Sequence, residues 1–582
     1  MINYYKDNPD IVFHMNHMDF SRIVHLKEDN FAEKDEYAHA PKNVEDAVDN
    51  YQRVLEVIGE IAGDFIAPRA RGVDEEGATY KDGEVIYAKG ISESLDQLKK
   101  ADLTGFTLPR KYGGINLPAT VYSAAIEIIS RADASLMNAF GLQSIGETIY
   151  KFGSEEQRDK YLPRFASGEV LGSMALTEPD AGSDLQSVSL KAVLGEDGKW
   201  RLNGVKRFIT HGCAQISLVM ARSEEGSTGG RGISLFIYDR DKNMKIRRIE
   251  HKLGIHGSPT CELQFNNAEA ELLGKRKFGL VRYTMSLMNG ARLAIGEQSI
   301  GIAEAAYRDA ELYAKNRKQF KKTIREFPAV YEMLTDMKVN IEACRTLLYE
   351  TSRIVDIKEG IEEEIEKYPD RKTEALTEEL RYCTKYASLL TPMIKGYASE
   401  MANRVCYDAI QIHGGVGFTC EFDVERYYRD VRITSIYEGT TQLQALAAIG
   451  GVITGVAFEM LDEYEKENDF AEVSELFTLA SQLRACLEKA VKHVKEKNDS
   501  FYQEYHAGRI VDMTTETIMS YLLCIDAMKD DRKKKVAQLF MAKAELRVKS
   551  SMEFILSNDC SVIDHHKDVI GIEESVQIDK AE

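Results

Sequence analysis

The hydrophobic period changes twice along this chain, which constrains its fold more than any single residue does. From Val44 to about Val170 the apolar residues recur at helical spacing. Asn43 can cap a helix carrying Val44, Val48, Tyr51, Leu55, Ile58 and Ala62 on one side, and Ser154-Glu155-Glu156-Gln157 is a capping box opening another. After Gly172 the period drops to two. Residues 187–194 alternate, Gly195-Glu196-Asp197-Gly198 turns, and Trp200-Arg201-Leu202 starts a return strand. Residues 216–221, 233–238, 245–249 and 261–265 are further strand candidates, so about 110 residues are expected to form a small antiparallel barrel or sandwich. Helical spacing returns near Phe278, with a packed seam through Val330, Leu334, Met337, Ile341, Cys344, Leu348 and Val355.

At 582 residues the chain exceeds a single core. Residues 1–43 are a polar-aromatic extension without repeats; 44–171 form a helical domain, 172–277 a middle β domain and 278–450 a helical bundle. Residues 451–582 form an additional helical domain, with amphipathic helices at 453–467, 473–498, 514–528 and 531–555 and no catalytic cluster. The fold class is mainly α with a central β domain. Within the bundle, residues 357–380 are a charged interruption, read as a solvated hairpin or helix extension.

A formal net charge of −19 argues against nucleic acid as the main partner. No apolar run is long enough for a transmembrane helix. The N-terminus has neither a basic start nor the apolar core of a signal peptide, and nine dispersed cysteines lack metal-ligand spacing. The expected location is a bacterial cytoplasm, with no metal.

Four motifs carry chemistry. Ser435-Ile436-Tyr437-Glu438-Gly439-Thr440-Thr441-Gln442 places one carboxylate at a turn, beside an aromatic ring, hydroxyls and an amide. Leu176-Thr177-Glu178-Pro179-Asp180-Ala181-Gly182-Ser183-Asp184 joins helix to β domain. In Arg317-Lys318-Gln319-Phe320 an Arg fork suits a diphosphate and a ring suits an adenine face. Gln411-Ile412-His413-Gly414-Gly415-Val416-Gly417 follows a helix and is no dinucleotide fingerprint. Taken singly, each also reads as an ordinary loop, helix end or surface carboxylate.

Together and in this order they resemble the acyl-CoA dehydrogenase family of flavoproteins, from about Val44 to about Ile449. The two added segments are similar to those of long-form members such as 3-methylmercaptopropionyl-CoA dehydrogenases. The resemblance implies FAD as cofactor, an acyl-CoA substrate and Glu438 as the general base, because Asn289-Gly290-Ala291 offers no carboxylate at the alternative position used by some branches. It implies that Leu176 and Thr177 meet the polar edge of the flavin, Phe208 packs on the ring and Thr210 bonds near its reactive nitrogen. Ser183 holds a flavin phosphate or part of CoA, while Thr440 and Gln442 close the flavin site. Arg317 and Phe320 reach the FAD of a neighbouring subunit, and Gln411 and Gly415 approach its diphosphate or adenosine. Asn289 and Arg292 contact CoA, with Tyr437, Glu438 and Gly439 against the thioester. The implied reaction is α,β-dehydrogenation to a trans-2-enoyl-CoA by a homodimer or homotetramer, with electrons passed to an electron-transferring flavoprotein. An acyl-CoA oxidase, or a catalytically silent flavin-fold binding protein, stays open as an alternative. Phe208 stands where relatives often have Trp, Asn289 where they often have Asp, and Lys321 and Pro328 replace Gly and Gln. Met137 stands where glutaryl-CoA-type enzymes have Arg, which favours an apolar acyl tail.

Overall fold

The computed structural model describes residues 2–571, and the chain divides into two compact units at Gly451/Val452. In the first unit the N-terminal extension is structured. Helices α1 (Pro9–His17, capped by Asn8) and α2 (Ser21–Lys27) bury Ile11, Phe13, Met15, Ile23 and Val24. The chain ahead of them lies on α3 (Val44–Glu60): a Cβ on Gly59 would fall 2.2 Å from Asn3 Oδ1. Helix α3 is capped by Asn43 as expected and buries Tyr51, Leu55 and Ile58. Ser154 and Gln157 form the expected reciprocal capping box. Helix α4 (Ala119–Ala132) is buried along its whole length, and this explains an apolar pattern with little amphipathic contrast.

The β region is a closed barrel with two added strands. Its strands are β1 (Gly172–Ala175), β2 (Lys191–Leu194), β3 (Trp200–Thr210), β4 (Ile216–Arg222), β5 (Ile233–Asp239), β6 (Met244–Ile249) and β7 (Thr260–Leu273). Strands β4, β5, β7, β3 and β2 follow one another around the barrel, and a single bridge between Lys191 and Arg222 closes it. Two expectations are corrected. The sheet is not wholly antiparallel, because β1 runs parallel to β4. Residues 187–190 are not strand: a turn at Leu185–Ser187, capped by Asp184, precedes β2.

The bundle consists of α5 (Met285–Asn316), α6 (Pro328–Lys367), α7 (Glu374–His413) and α8 (Thr441–Ile453). The charged interruption is both a hairpin and a helix extension, since α6 and α7 run on and meet through a turn at Pro369–Arg371. It is not all solvated: Ile357 and Ile361 are buried on it. At the bundle's centre the wholly buried Arg345 donates to Asp10 (2.5 Å), Glu127 (2.7 Å) and Glu304 (3.1 Å), gathering α1, α4 and α5 onto α6.

The second unit contains α9 (Val456–Glu467), α10 (Ser474–Lys497), α11 (Ser500–Ala527), α12 (Asp531–Leu556) and α13 (Ser561–Ile570). Helix α11 begins at Ser500 rather than at 514, capped by Asp499, and α13 is an addition to the expected set. No single helix among the described residues is long and apolar enough to cross a membrane.

Candidate active site

Glu438 sits where the chain reverses between a short helix, Val424–Val431, and α8. Both Glu438 (φ 55°) and Gly439 (φ 95°) are left-handed, a conformation that costs a residue with a Cβ about 1 kcal/mol or more. Glycine is favoured at Gly439 by that φ, and a Cβ there would lie 2.7 Å from Gln444 Nε2 and push that amide aside. That amide donates to the carbonyls of Glu438 (3.2 Å) and Gly439 (3.0 Å), and Lys395 Nζ on α7 donates to the Gly439 carbonyl as well. Thr441 Oγ1 donates to Glu400 on α7 (2.6 Å), and the Tyr437 hydroxyl donates to Gln298 on α5. The loop is thus tied down by its backbone and by its neighbours' side chains, while the Glu438 carboxylate makes no hydrogen bond or ion pair among the described residues. Burial raises its carboxyl above the ordinary range, against the downward pull of Arg292 and Lys395.

The opposite wall comes from the barrel. Between Lys206 and Ile209 the register of β3 on β7 slips, and Phe208 takes φ 60°. This bulge turns the Phe208 ring outward, 51% exposed, with the Arg207 guanidinium 4.6 Å from its centre. Arg207 N–H donates to the Thr177 carbonyl (3.0 Å), which links the bulge to the 176–184 loop. The loop is anchored by Lys206, wholly buried, whose Nζ donates to the Leu176 carbonyl (2.7 Å) and Glu178 (2.9 Å). Glu178 also accepts from the N–H groups of Ser189 (2.7 Å) and Leu190 (3.0 Å).

One cleft therefore gathers Leu176, Thr177, Phe208 and Thr210 from the barrel side with Glu438 and Gly439 from the bundle, and Leu142, Met174 and Met288 add apolar lining. Thr440 is half-buried beside the loop, and Ser183 is exposed at the far side of its own. Arg292 donates to the exposed Asn289 (3.3 Å) and faces the charge of Glu438. Gln442 is exposed; the amide that holds the loop is Gln444, two residues on.

Arg317, Phe320, Gln411 and Gly415 are not in this cleft. They form an exposed patch at the other end of the bundle, where α5 and α7 finish together and Tyr313 stacks on His413 at 4.3 Å. At 1.5 Å per residue that end lies about 36 Å from Arg292 along α5. Phe320 is 87% exposed and Arg317 makes no ion pair among the described residues.

The sequence comparisons cover the same regions. Residues 49–169 match the acyl-CoA dehydrogenase N-terminal domain, 173–268 the middle domain, 281–368 and 373–451 the C-terminal domain, and 453–561 a further acyl-CoA dehydrogenase C-terminal region. The chain belongs to the acyl-CoA dehydrogenase family. It is an oxidoreductase of a flavoprotein family, and its extra helical region is one that the family also contains. A 3-methylmercaptopropionyl-CoA dehydrogenase of Ruegeria pomeroyi is 35% identical over 433 residues, 69% of this chain and 70% of that one. The caffeyl-CoA reductase-Etf complex subunit CarC of Acetobacterium woodii is 35% identical over 364 residues, covering 62% and 89%. A Bacillus anthracis acyl-CoA dehydrogenase solved with FAD superposes with a TM-score of 0.73 over 90% of this chain and 92% of its own, at 23% identity, which shows a shared fold.

Against this acyl-CoA dehydrogenase frame the residues present fit a flavin. The hydroxyls of Thr177, Thr210 and Thr440 make no hydrogen bond among the described residues, and neither do the side chains of Gln411 and Arg317. The Phe208 ring, half exposed and with Arg207 over it, stands at the cleft wall. These are unspent donors and an unspent stacking face. Four residues that build the site, Glu178, Lys206, Lys395 and Gln444, had no role in the sequence reading. The available signal was a Lys set within a largely apolar stretch, as in Pro392-Met393-Ile394-Lys395-Gly396-Tyr397.

Proposed function

We propose that this protein is a FAD-dependent acyl-CoA dehydrogenase in which Glu438 takes the α-proton of an acyl-CoA thioester, giving a trans-2-enoyl-CoA. The observation that carries this reading is a half-buried carboxylate, free of hydrogen bonds among the described residues, on a loop whose Glu438 and Gly439 carbonyls and Tyr437 and Thr441 hydroxyls are all tied down. Such a carboxylate keeps its lone pairs for an incoming proton, and its raised pKa brings its base strength toward that of an activated C–H. The Glu438 N–H likewise has no partner among the described residues and can donate to the thioester oxygen as charge develops there. FAD, when bound, supplies the acceptor for the β-hydride. Thr177 and Thr210 would hold its polar edge, and Phe208 would cover its ring.

Arg317, Phe320, Gln411 and Gly415 lie too far along the bundle to serve the same cleft. They support a homodimer or homotetramer in which they bind the FAD of a neighbour. Leu142, Met174 and Met288 at the cleft, and Met137 buried nearby in sequence, support an apolar acyl tail. An electron-transferring flavoprotein as acceptor is supported by the Etf-complex relative, and a cytoplasmic setting agrees with these partners. Anaerobic mixing of the FAD-loaded protein with a panel of acyl-CoA thioesters tests the reading. Rapid loss of the oxidised flavin band is expected with apolar chains, with slow reoxidation by oxygen. A protein that retains FMN instead of FAD, or that no acyl-CoA bleaches, would defeat it. Fast reoxidation with peroxide release would make it an acyl-CoA oxidase.

A further inference from the structure

Lys395 has no part in the chemistry above, yet it is among the largest wholly buried side chains of the chain. It stands on α7 between Ile394 and Gly396, and its ammonium makes no ion pair at contact distance among the described residues. Its hydrogen bond goes to a neutral acceptor, the Gly439 carbonyl. Burying a cation without a contacting anion is costly, and a neutral donor already reaches the same oxygen: Gln444 Nε2, at 3.0 Å. The packing leaves that amide little freedom, since a Cβ on Gly396 would lie 3.3 Å from Gln444 Cβ. A structural hydrogen bond alone therefore does not account for a charge at this position. The charged groups that face the ammonium are Glu438 from the loop, Glu400 from its own helix and Arg292 from α5. Glu400 is engaged by Thr441 and Arg292 by Asn289, while the Glu438 carboxylate has no hydrogen-bond partner among the described residues.

We propose that Lys395 is the positioning residue for Glu438: its hydrogen bond fixes the Gly439 carbonyl and so the left-handed Glu438, and its charge favours the ionised form of the neighbouring carboxylate. Burial lowers the Lys395 ammonium to about 8, despite Glu438 and Glu400, so its hold on Glu438 is present below that pH and fades above it. The inference rests on Glu438 acting as the base.

Lys395→Met and Lys395→Gln, loaded with FAD, would be compared with the parent in single-turnover flavin reduction across pH. The rate should rise with pH as the base ionises, and in both variants this limb should move up by about one unit or more, giving roughly tenfold slower reduction at any pH on the acid side of the limb. An independent readout is the infrared carboxyl band that Glu438→Gln removes; it should titrate at higher pH in both variants. A uniform loss of rate, with limb and band unmoved, would show that Lys395 only fills space and would overturn the proposal. If no acyl-CoA reduces the parent while the band still shifts, the dehydrogenase reading fails and the electrostatic role of Lys395 stands.

Discussion

Two groups of buried charge lie in the first unit and are finished differently. Around Arg345 every nitrogen of the guanidinium has a carboxylate: Nε and Nη2 reach Glu127, Nη1 reaches Asp10, and Nη2 also reaches Glu304. Around Glu438 two cations are present, but their hydrogen bonds go elsewhere, to the Gly439 carbonyl and to Asn289. The first group is closed and gives its side chains no further chemistry. The second supplies field without contact, and its carboxylate stays available. A buried ion cluster therefore says little about function until its hydrogen bonds are followed to their ends.

Glu438→Gln attacks the open group directly. The amide is nearly isosteric and keeps the N–H, so FAD content and acyl-CoA binding should persist. Flavin reduction should fall by roughly 10²–10⁴-fold or more. Bleaching within about threefold of the parent, a barrier change of about 0.7 kcal/mol, would mean that the base lies elsewhere. Arg345→Met breaks the closed group by leaving three buried carboxylates without their shared cation. Unfolding in urea should show a loss of about 3–5 kcal/mol, with the rate per folded molecule largely kept. Unchanged stability would erase the contrast between the two groups.

A further buried carboxylate, outside both groups, sharpens it. Glu297 accepts from Ser123 Oγ, its other oxygen has no partner, and burial raises its carboxyl from 4.5 to about 8. The native state then holds a proton that the unfolded chain releases above pH 4.5, so this group costs stability increasingly as pH rises from 4.5 toward 8. Glu297→Gln should raise the melting temperature by about 2 °C at pH 8 and leave it unchanged at pH 4. Equal shifts at both values would show that Glu297 is charged in the fold.

The parts legible in sequence are those with local causes. The caps at Asn43 and Ser154, the turn at residues 195–198 and the period of two announce themselves within a few residues, and Glu438 was reached through its motif. What was hidden depends on distant partners. The N-terminal extension looked polar because Asp7 and Asp10 are charged, yet they pair with Arg131 and Arg345, far along the chain. Ile357 and Ile361 were masked by the glutamates around them. Gln444, which the motif does not reach, holds the Glu438 loop because its amide points back at the turn from the first turn of α8. The parallel pairing of β1 with β4 spans residues 172–219, beyond the reach of hairpin reasoning.

The bond between Asp10 and Arg345 has a consequence for synthesis. The two residues stand 335 positions apart, and at ribosomal rates of roughly 5–20 residues per second the acid waits about 17–67 s for its partner. During that interval α1 can pack apolar residues but cannot complete its charge cluster, and neither can Glu127 on α4. The N-terminal helices of the nascent chain are thus held in an unfinished state until α6 leaves the ribosome.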